Sequence, residues 1–175
     1  MSAGLIRIAL ASAAMLSLGA CAATGTPPGT ASQPAAAETI AVSVGPCFGF
    51  CPVYTVSVSP AGMVTFNGER HTTELGEKTR DAGPAEYRAL ATALAAYRPT
   101  TGTTGESQCD TRISDQSHTR ITWTAPDRTV TTLEHDKGCR SAANDRLNAL
   151  LQDLPTRLGI EPWARQITRP GVSRG

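Results

Sequence analysis

The N-terminal half of the chain alternates hydrophobic and polar positions in short stretches, which is the pattern of half-buried β-strands. The first stretch covers residues 40–44 and follows Thr39, where the folded domain is expected to begin. The second covers residues 53–58. A Pro60-Ala61-Gly62 turn connects it to a third at residues 64–66, so these two stretches are predicted to form a hairpin.

The periodicity changes from that of a strand to that of a helix after Pro84, a favourable first residue of a helix. Pro99 ends this predicted helix. The residues on its hydrophobic face are Tyr87, Leu90, Leu94 and Tyr97. Before the helix, residues 71–75 are a candidate short strand, and residues 76–83 are too polar to be assigned to an element.

The second half of the chain repeats this order after a predicted loop at residues 100–108. Strands are predicted at about residues 119–124 and 129–135, and a second helix follows, with Ser141 as its cap and Pro155 at its end or kink. Its hydrophobic face consists of Leu147, Leu150, Leu151 and Leu154. The order strands, helix, strands, helix predicts an α+β fold in which two helices cover a mainly antiparallel sheet. The predicted domain spans residues 39–163, with Trp163 folded onto the core, and residues 164–175 are expected to be a disordered tail.

Residues 1–20 have the composition of a signal peptide. Arg7 supplies the positive charge, residues 8–18 form a short apolar run, and Leu18-Gly19-Ala20-Cys21 resembles a bacterial lipobox. The resemblance implies cleavage before Cys21 and attachment of acyl chains such as palmitate to that cysteine. An ordinary secreted protein with a spare cysteine is the alternative.

Residues 21–38 consist almost entirely of Ala, Thr, Gly, Pro and Ser, and are expected to be a flexible tether behind Cys21. Cleavage also removes Arg7, the one charged residue before Cys21, so the formal charge falls from +1 to zero. A neutral chain has no overall field that would attract nucleic acid, and nucleic acid is not expected as a partner.

Acyl chains on Cys21 would hold the protein to a bilayer. If the cell is Gram-negative, Ala22 stands where the lipoprotein sorting pattern that this segment resembles has the aspartate of inner-membrane retention, and the resemblance then implies the outer membrane facing the periplasm.

Four cysteines remain once Cys21 is acylated, and an even number in an exported protein predicts two disulfides. Four cysteines allow three pairings. We favour the one that joins Cys109 to Cys139 and Cys47 to Cys51, because Cys109 precedes and Cys139 follows a single hairpin whose two ends meet.

The Cys47–Cys51 segment is enclosed by prolines and needs a turn, for which Gly49 is suited. The segment also contains Phe48 and Phe50, two of the three phenylalanines of the chain. These side chains either insert into a core, which is the commoner outcome, or present an apolar surface to a partner.

The string Cys-x-x-x-Cys-Pro also resembles the copper-binding motif of the Sco family of copper chaperones. That resemblance implies a copper site made of Cys47, Cys51 and a histidine, with His135 as the third ligand and His71 and His118 as the other candidates. Soft thiolates suit Cu(I). The sequence after the motif predicts a strand, whereas the Sco motif leads into a helix. We therefore favour a structural disulfide with no metal or cofactor.

The histidines of the second hairpin face each other only in one register. If the hairpin is symmetric about Pro126-Asp127, His118 lies opposite His135 and the two could share a metal ion. A shift by one residue separates them, and Pro126 does not fit the usual two-residue hairpin turn. Solvated histidines at strand ends are therefore expected.

The sequence contains no Gly-x-Ser-x-Gly, phosphate-loop or His-Glu-x-x-His motif. Residues 134–136, Glu-His-Asp, are adjacent, but neighbours on a strand point to opposite faces. Asp110 and Asp115 are expected to form turns. The loop arginines would bind an anion only if the fold brought them together; they are Arg70, Arg80, Arg112 and Arg140.

Several features together resemble a family of bacterial envelope domains of unknown function, the family numbered 6438, which opens on Cys-Phe-Gly-x-Cys-Pro-x-Tyr. They are the run Cys47 to Tyr54, the next strand with its Ala61-Gly62 turn, the Ser114-Asp115 step, and the last helix with Trp163. The likeness covers most of residues 40–163 and implies an envelope location but no activity.

We therefore expect a non-catalytic, membrane-anchored lipoprotein of the cell envelope. In this interpretation it is a disulfide-stabilised module that contacts an envelope protein through Phe48 and Phe50 or through a sheet edge. The alternative is a periplasmic copper-binding or thiol-disulfide protein that uses Cys47 and Cys51.

Overall fold

The computed structural model describes residues 37–167. The strands are β1 (Thr39–Val44), β2 (Val53–Val58), β3 (Met63–Arg70), β4 (Gly76–Asp81), β5 (Thr104–Glu106), β6 (Thr111–Arg112), β7 (His118–Thr124), β8 (Val130–Asp136) and β9 (Cys139–Arg140). The helices are α1 (Gly83–Leu94), α2 (Ala142–Arg157) and α3 (Glu161–Ala164), and a 3-10 turn, Ala95–Tyr97, follows α1. The predicted signal peptide, Cys21, the tether up to residue 36 and the last eight residues of the predicted tail lie outside the described residues. Across residues 37–167, no helix combines the length and the apolar character needed to cross a membrane.

Seven of the strands form one sheet in the order β4-β3-β2-β1-β7-β8-β5. All neighbouring strands are antiparallel except β5, which pairs with β8 in parallel. β6 and β9 form a separate two-stranded ribbon. Strand β1 therefore lies at the centre and pairs with β2 on one side and with β7 on the other.

One face of the sheet packs against the helices, and the other is polar. Alternation explains this division, because successive side chains of a strand point to opposite faces. The hydrophobic residues that the sheet contributes to the core are Ile40, Val42, Tyr54, Val56, Val58, Val64, Phe66, Ile121, Trp123 and Leu133. The helices and their connections contribute Leu90, Leu94, Leu147, Leu151, Leu154, Leu158, Ile160 and Ala164 to the same core. On the opposite face, Ser43 and Thr55 share a hydrogen bond of 3.0 Å.

The mixed α+β class and the mostly antiparallel sheet are confirmed, whereas the order strands, helix, strands, helix is only partly matched. The chain forms a third helix, α3, after α2. A short strand that was not predicted, β9, lies between β8 and α2. Helix α2 begins as predicted, since the Ser141 hydroxyl accepts a hydrogen bond of 3.2 Å from the Asn144 amide. Pro155 does not end the helix, which continues to Arg157.

Three segments before the second hairpin differ from the predictions, and none of them has an alternating buried face. Residues 71–75 contain no strand but connect β3 to β4, with His71 at a positive φ of 60°. The polar residues 76–81 form β4 instead. All six are exposed at the edge of the sheet, so their sequence carries no alternation. In the predicted loop at 100–108, three residues form β5, which is too short to produce a pattern.

The domain includes residues on both sides of the predicted limits. Glu38, assigned above to the tether, is 5% exposed, and its carboxylate accepts a hydrogen bond of 2.7 Å from the Arg98 guanidinium. At the other end, the Arg165 carbonyl accepts a hydrogen bond of 2.9 Å from the Thr73 amide. The Ile167 amide donates to the His71 carbonyl at 3.0 Å. Residues 164–167 therefore belong to the domain rather than to a tail.

The second hairpin adopts the register that separates the two histidines. His118 pairs with Asp136, and Thr119 pairs with His135. The turn contains Pro126 and places Arg128 at a positive φ of 71°, while the Arg128 amide donates to the Ala125 carbonyl at 2.9 Å. The three-residue loop accommodates the proline and shifts the register by one residue from the symmetric one.

Candidate functional site

The loops that contain the four cysteines meet at one end of the seven-stranded sheet. Strands β1, β3, β5 and β8 finish at this end, and their antiparallel partners β2, β4 and β7 begin there. We call it the cysteine end. It carries residues 45–52, 71–75, 107–117 and 137–141. Disulfides join Cys47 to Cys51 and Cys109 to Cys139, which is the pairing favoured from the hairpin argument.

The first cysteine loop is held against the start of β7. The Gly45 amide donates to the His118 carbonyl at 2.8 Å, and the Phe48 amide donates to the Asp115 carbonyl at 3.4 Å. Gly49 has a φ of 132°, a conformation that side-chain-bearing residues rarely adopt. The loop is thus closed by its own disulfide and attached to the second half of the chain.

The two phenylalanines of this loop have different surroundings. Phe48 is 89% exposed, so of the two outcomes considered for this loop, insertion into a core does not occur at this residue. Phe50 is half-buried and contacts His71 edge to face, with the ring centroids 5.3 Å apart. Two more large apolar residues are exposed at the cysteine end, Leu75 and Ile113. The hydrogen bond from Phe48 to Asp115 brings this surface close to the loop that contains Ile113.

The second disulfide lies between the β6–β9 ribbon and the first turn of α2. Cys139 is fully buried, and its sulfur accepts a hydrogen bond of 3.1 Å from the Asn144 side chain. The Arg112 guanidinium donates to the Cys109 sulfur at 3.4 Å. Asn144 also donates to the Gln108 carbonyl at 2.8 Å. Side-chain hydrogen bonds therefore tie both cysteines to their neighbours.

His135 is fully buried, so the expectation of a solvated histidine is wrong for this residue. Residues 131, 133 and 135 all point to the helix-covered face of β8. The His135 Nδ1 atom lies 2.8 Å from the Ser107 hydroxyl, and its Nε2 atom lies 2.8 Å from the Asn148 side-chain oxygen. Burial lowers the pKa of the His135 imidazole, against the opposing effects of Asn148 and Asp136.

A cleft of about 310 Å³ lies beside the second disulfide. One wall is formed by residues 106–108, and the other by the first turn of α2, including Ala143 and Asn144. Tyr97 and Leu133 supply its apolar surface. No sequence motif pointed to Ser107, Asn144 or Asn148 as site residues. The spacing of four residues between Asn144 and Asn148 places them on the same helical face, which was an available signal.

The predicted loop arginines do not form one cluster. Arg80 lies on β4, at one edge of the sheet, and donates to the Gly159 carbonyl at 2.7 Å. Arg112 and Arg140 lie in the ribbon, where they pair with Asp136 at 3.1 Å and with Asp145 at 2.7 Å.

The alternative copper ligands are occupied by other partners. Cys47 and Cys51 are bonded to each other, and both ring nitrogens of His135 have hydrogen-bond partners. In the part of the chain that the structure describes, no three His, Cys, Asp or Glu side chains form a group that could hold a metal ion. His118 is exposed, and His71 packs on Phe50.

Residues 38–157 match the family of the domain of unknown function DUF6438. The chain belongs to this family. No curated protein matches the chain. The matched range of the DUF6438 domain begins at Glu38, the buried partner of Arg98, and ends at Arg157, the last residue of α2. It therefore includes all nine strands, both disulfides and the cleft, while α3 lies beyond it.

The two disulfides of the DUF6438 domain are expected to stabilise it unequally. In the chain-entropy model, the loop closed by Cys109–Cys139 contributes ~3.5 kcal/mol and the one closed by Cys47–Cys51 contributes ~2 kcal/mol. The double variant C109A/C139A should therefore lose more unfolding free energy than C47A/C51A in urea titrations. Double variants avoid a free thiol in either protein. The reverse order of the two losses would contradict this prediction.

Burial of His135 should make the stability of the domain depend on pH. Because its pKa in the folded state lies below the unfolded value of about 6.5, acid protonates the unfolded chain first. The unfolding free energy should therefore fall as the pH drops from about 7 to about 5. The H135Q variant should show a shallower fall than wild type. Equal slopes for H135Q and wild type would contradict this assignment.

Proposed function

We propose that this DUF6438 protein is a lipoprotein of the bacterial cell envelope that binds an envelope protein through the loop at residues 47–51. It is anchored through acylated Cys21, in the outer membrane facing the periplasm. The tether of residues 21–36 gives the domain reach from the bilayer, and the cysteine end is its binding surface.

The observation that carries this proposal is the exposure of Phe48. Burying a phenylalanine side chain stabilises a protein by about 1.5–3 kcal/mol, yet this one is 89% exposed. Aromatic residues are frequent among the few that dominate binding energy at protein interfaces. An exposed phenylalanine at the tip of a closed loop therefore suits a protein partner that offers an apolar pocket.

The loop is also restrained before any partner binds. Its disulfide limits the conformations of residues 47–51, and two backbone hydrogen bonds attach it to residues 115 and 118. A restrained binding loop loses less conformational entropy on association than a free one. This restraint supports a role in binding in addition to the stabilising role of the disulfide.

The support for anchoring comes from the sequence. The charged Arg7, the apolar run at residues 8–18 and the lipobox-like Leu18-Gly19-Ala20-Cys21 occur in the order of a lipoprotein signal. The tether that follows has the composition of a flexible linker.

The binding function is tested by introducing a photo-crosslinking amino acid at position 48 of the full chain in living cells. We expect a discrete adduct with one envelope protein, and at least a several-fold lower yield when C47A/C51A opens the loop. Position 63 is the matched control, because Met63 is 46% exposed but lies at the opposite end of β3. Absence of an adduct at position 48, or the same adducts at both positions, would refute the proposed surface.

The anchoring is tested separately with an alkyne analogue of palmitate in cells. Wild type should incorporate the label and sediment with the outer membrane, whereas C21S should remain unlabelled and appear in the soluble periplasmic fraction. A22D should keep the label but move to the inner membrane, because it restores the retention signal. Labelling of C21S, or an unlabelled wild type, would exclude Cys21 as the anchor.

A further inference from the structure

Ser107, His135 and Asn148 form a continuous chain of hydrogen bonds at the edge of the cleft. Ser107 follows β5, His135 lies on β8 and Asn148 lies on α2, so three separate elements supply them. The two connecting distances are both 2.8 Å. This is the arrangement in which a base contacts a nucleophile and a third group orients the base.

The direction of these hydrogen bonds follows from the amide of Asn148. Its nitrogen donates to the Lys137 carbonyl at 3.1 Å, which leaves its oxygen to face the imidazole. An oxygen in that place can only accept, so Nε2 of His135 carries the proton. The other ring nitrogen, Nδ1, then has a free electron pair and accepts the hydroxyl proton of Ser107. His135 is thereby held in the tautomer that a general base requires.

The cleft gives a substrate access to this chain. Ser107 is part of its wall and is only half-buried, although His135 behind it is fully buried. Tyr97 and Leu133 provide apolar contact for a small acyl group, while Glu106 and Asp110 place carboxylates in the same wall. The cleft therefore suits an uncharged or cationic ester better than an anionic one.

The opposite wall supplies hydrogen-bond donors for the charge that an acyl transfer develops. The first amides of a helix have no acceptor within the helix. In α2, Ser141 accepts from the Asn144 amide, which leaves the amides of Ala142 and Ala143 without an intrahelical acceptor. Ala143 lines the cleft, at the positive end of a 16-residue helix. Backbone donors at such a place stabilise a developing oxyanion.

We propose that Ser107 is the nucleophile of an ester-hydrolysing site, with His135 as its general base and Asn148 as a positioning residue. Ser107 Oγ attacks the carbonyl carbon of an uncharged or cationic ester and transfers its proton to His135 Nδ1. The ester bond to the alkoxy oxygen breaks, and His135 returns the proton to the departing alcohol. Water then attacks the acyl-serine, releases the carboxylic acid and restores the Ser107 hydroxyl. This activity goes beyond the binding proposed for the Phe48 loop and does not depend on it.

The test is covalent labelling of the purified full chain with an alkyl fluorophosphonate, followed by intact mass and peptide mapping. In the labelling reaction, Ser107 Oγ replaces fluoride on phosphorus. We expect one adduct per chain at Ser107, its loss in S107A, and wild-type labelling in S114A. Ser114 is a matched control because its hydroxyl contacts a carboxylate, that of Asp115 at 3.1 Å, and it lies on the exposed surface of the cysteine end beyond β6. Hydrolysis of p-nitrophenyl acetate should be at least ~10²-fold slower in S107A.

A second pair of variants separates catalysis from folding. Both N148D and N148L lose the hydrogen bond to the Lys137 carbonyl, but only the aspartate can accept from Nε2 of His135. The labelling rate of N148D should stay within a few-fold of wild type, while that of N148L should fall at least tenfold. A folded wild type that forms no Ser107 adduct would overturn the proposal. Equal labelling of S107A and wild type, or of N148D and N148L, would overturn it too.

Discussion

The pairing of β1 with both β2 and β7 is the constraint on which the rest of this structure depends. The β2–β3–β4 and β7–β8–β5 groups are separate in sequence, and β1 joins them into one sheet. Because β1 leads directly into the first cysteine loop, its pairing with β7 also brings the Gly45 amide to the His118 carbonyl. The position of Phe48 is therefore a consequence of the central strand as much as of the loop itself.

The disulfides act where the sheet stops. Backbone hydrogen bonds between strands hold residues up to the cysteine end, but the loops beyond it must be ordered by other contacts, against an entropy cost of about 1–2 kcal/mol per residue. Cys47–Cys51 restrains the loop that exposes Phe48. Cys109–Cys139 connects the segment after β5 to the start of α2, and so fixes both walls of the cleft. One end of the sheet thus carries a restrained apolar tip and a restrained cleft.

The hydrophobic pattern of the sequence was sufficient to predict the strands and helices that bury one face. Alternation located β1, β2, β3, β7 and β8, and helical spacing located α1 and α2. It could not locate β4, which is exposed on both sides, or β5, whose parallel pairing with β8 is not encoded by its three residues. The same limit applies to the site. His135 lies on the same face of β8 as the buried residues 131 and 133, so its burial could be predicted from the alternation. Its contact with Ser107 could not, because that contact depends on the pairing of β5 with β8.

The polar residues around His135 stabilise the core less than apolar residues would. Thr119 lies opposite His135 in the sheet, and its hydroxyl is buried without a hydrogen-bond partner among the described residues. An unsatisfied buried polar group costs about 1–3 kcal/mol, and apolar side chains at positions 119 and 135 would fill the same core at lower cost. Proteins break the rules of core packing chiefly at functional sites. The unsatisfied Thr119 hydroxyl and the buried His135 imidazole both lower the stability of this end of the core. The proposed catalytic role would account for this loss, because it requires His135 Nδ1 to accept a proton from Ser107 in the adjoining cleft.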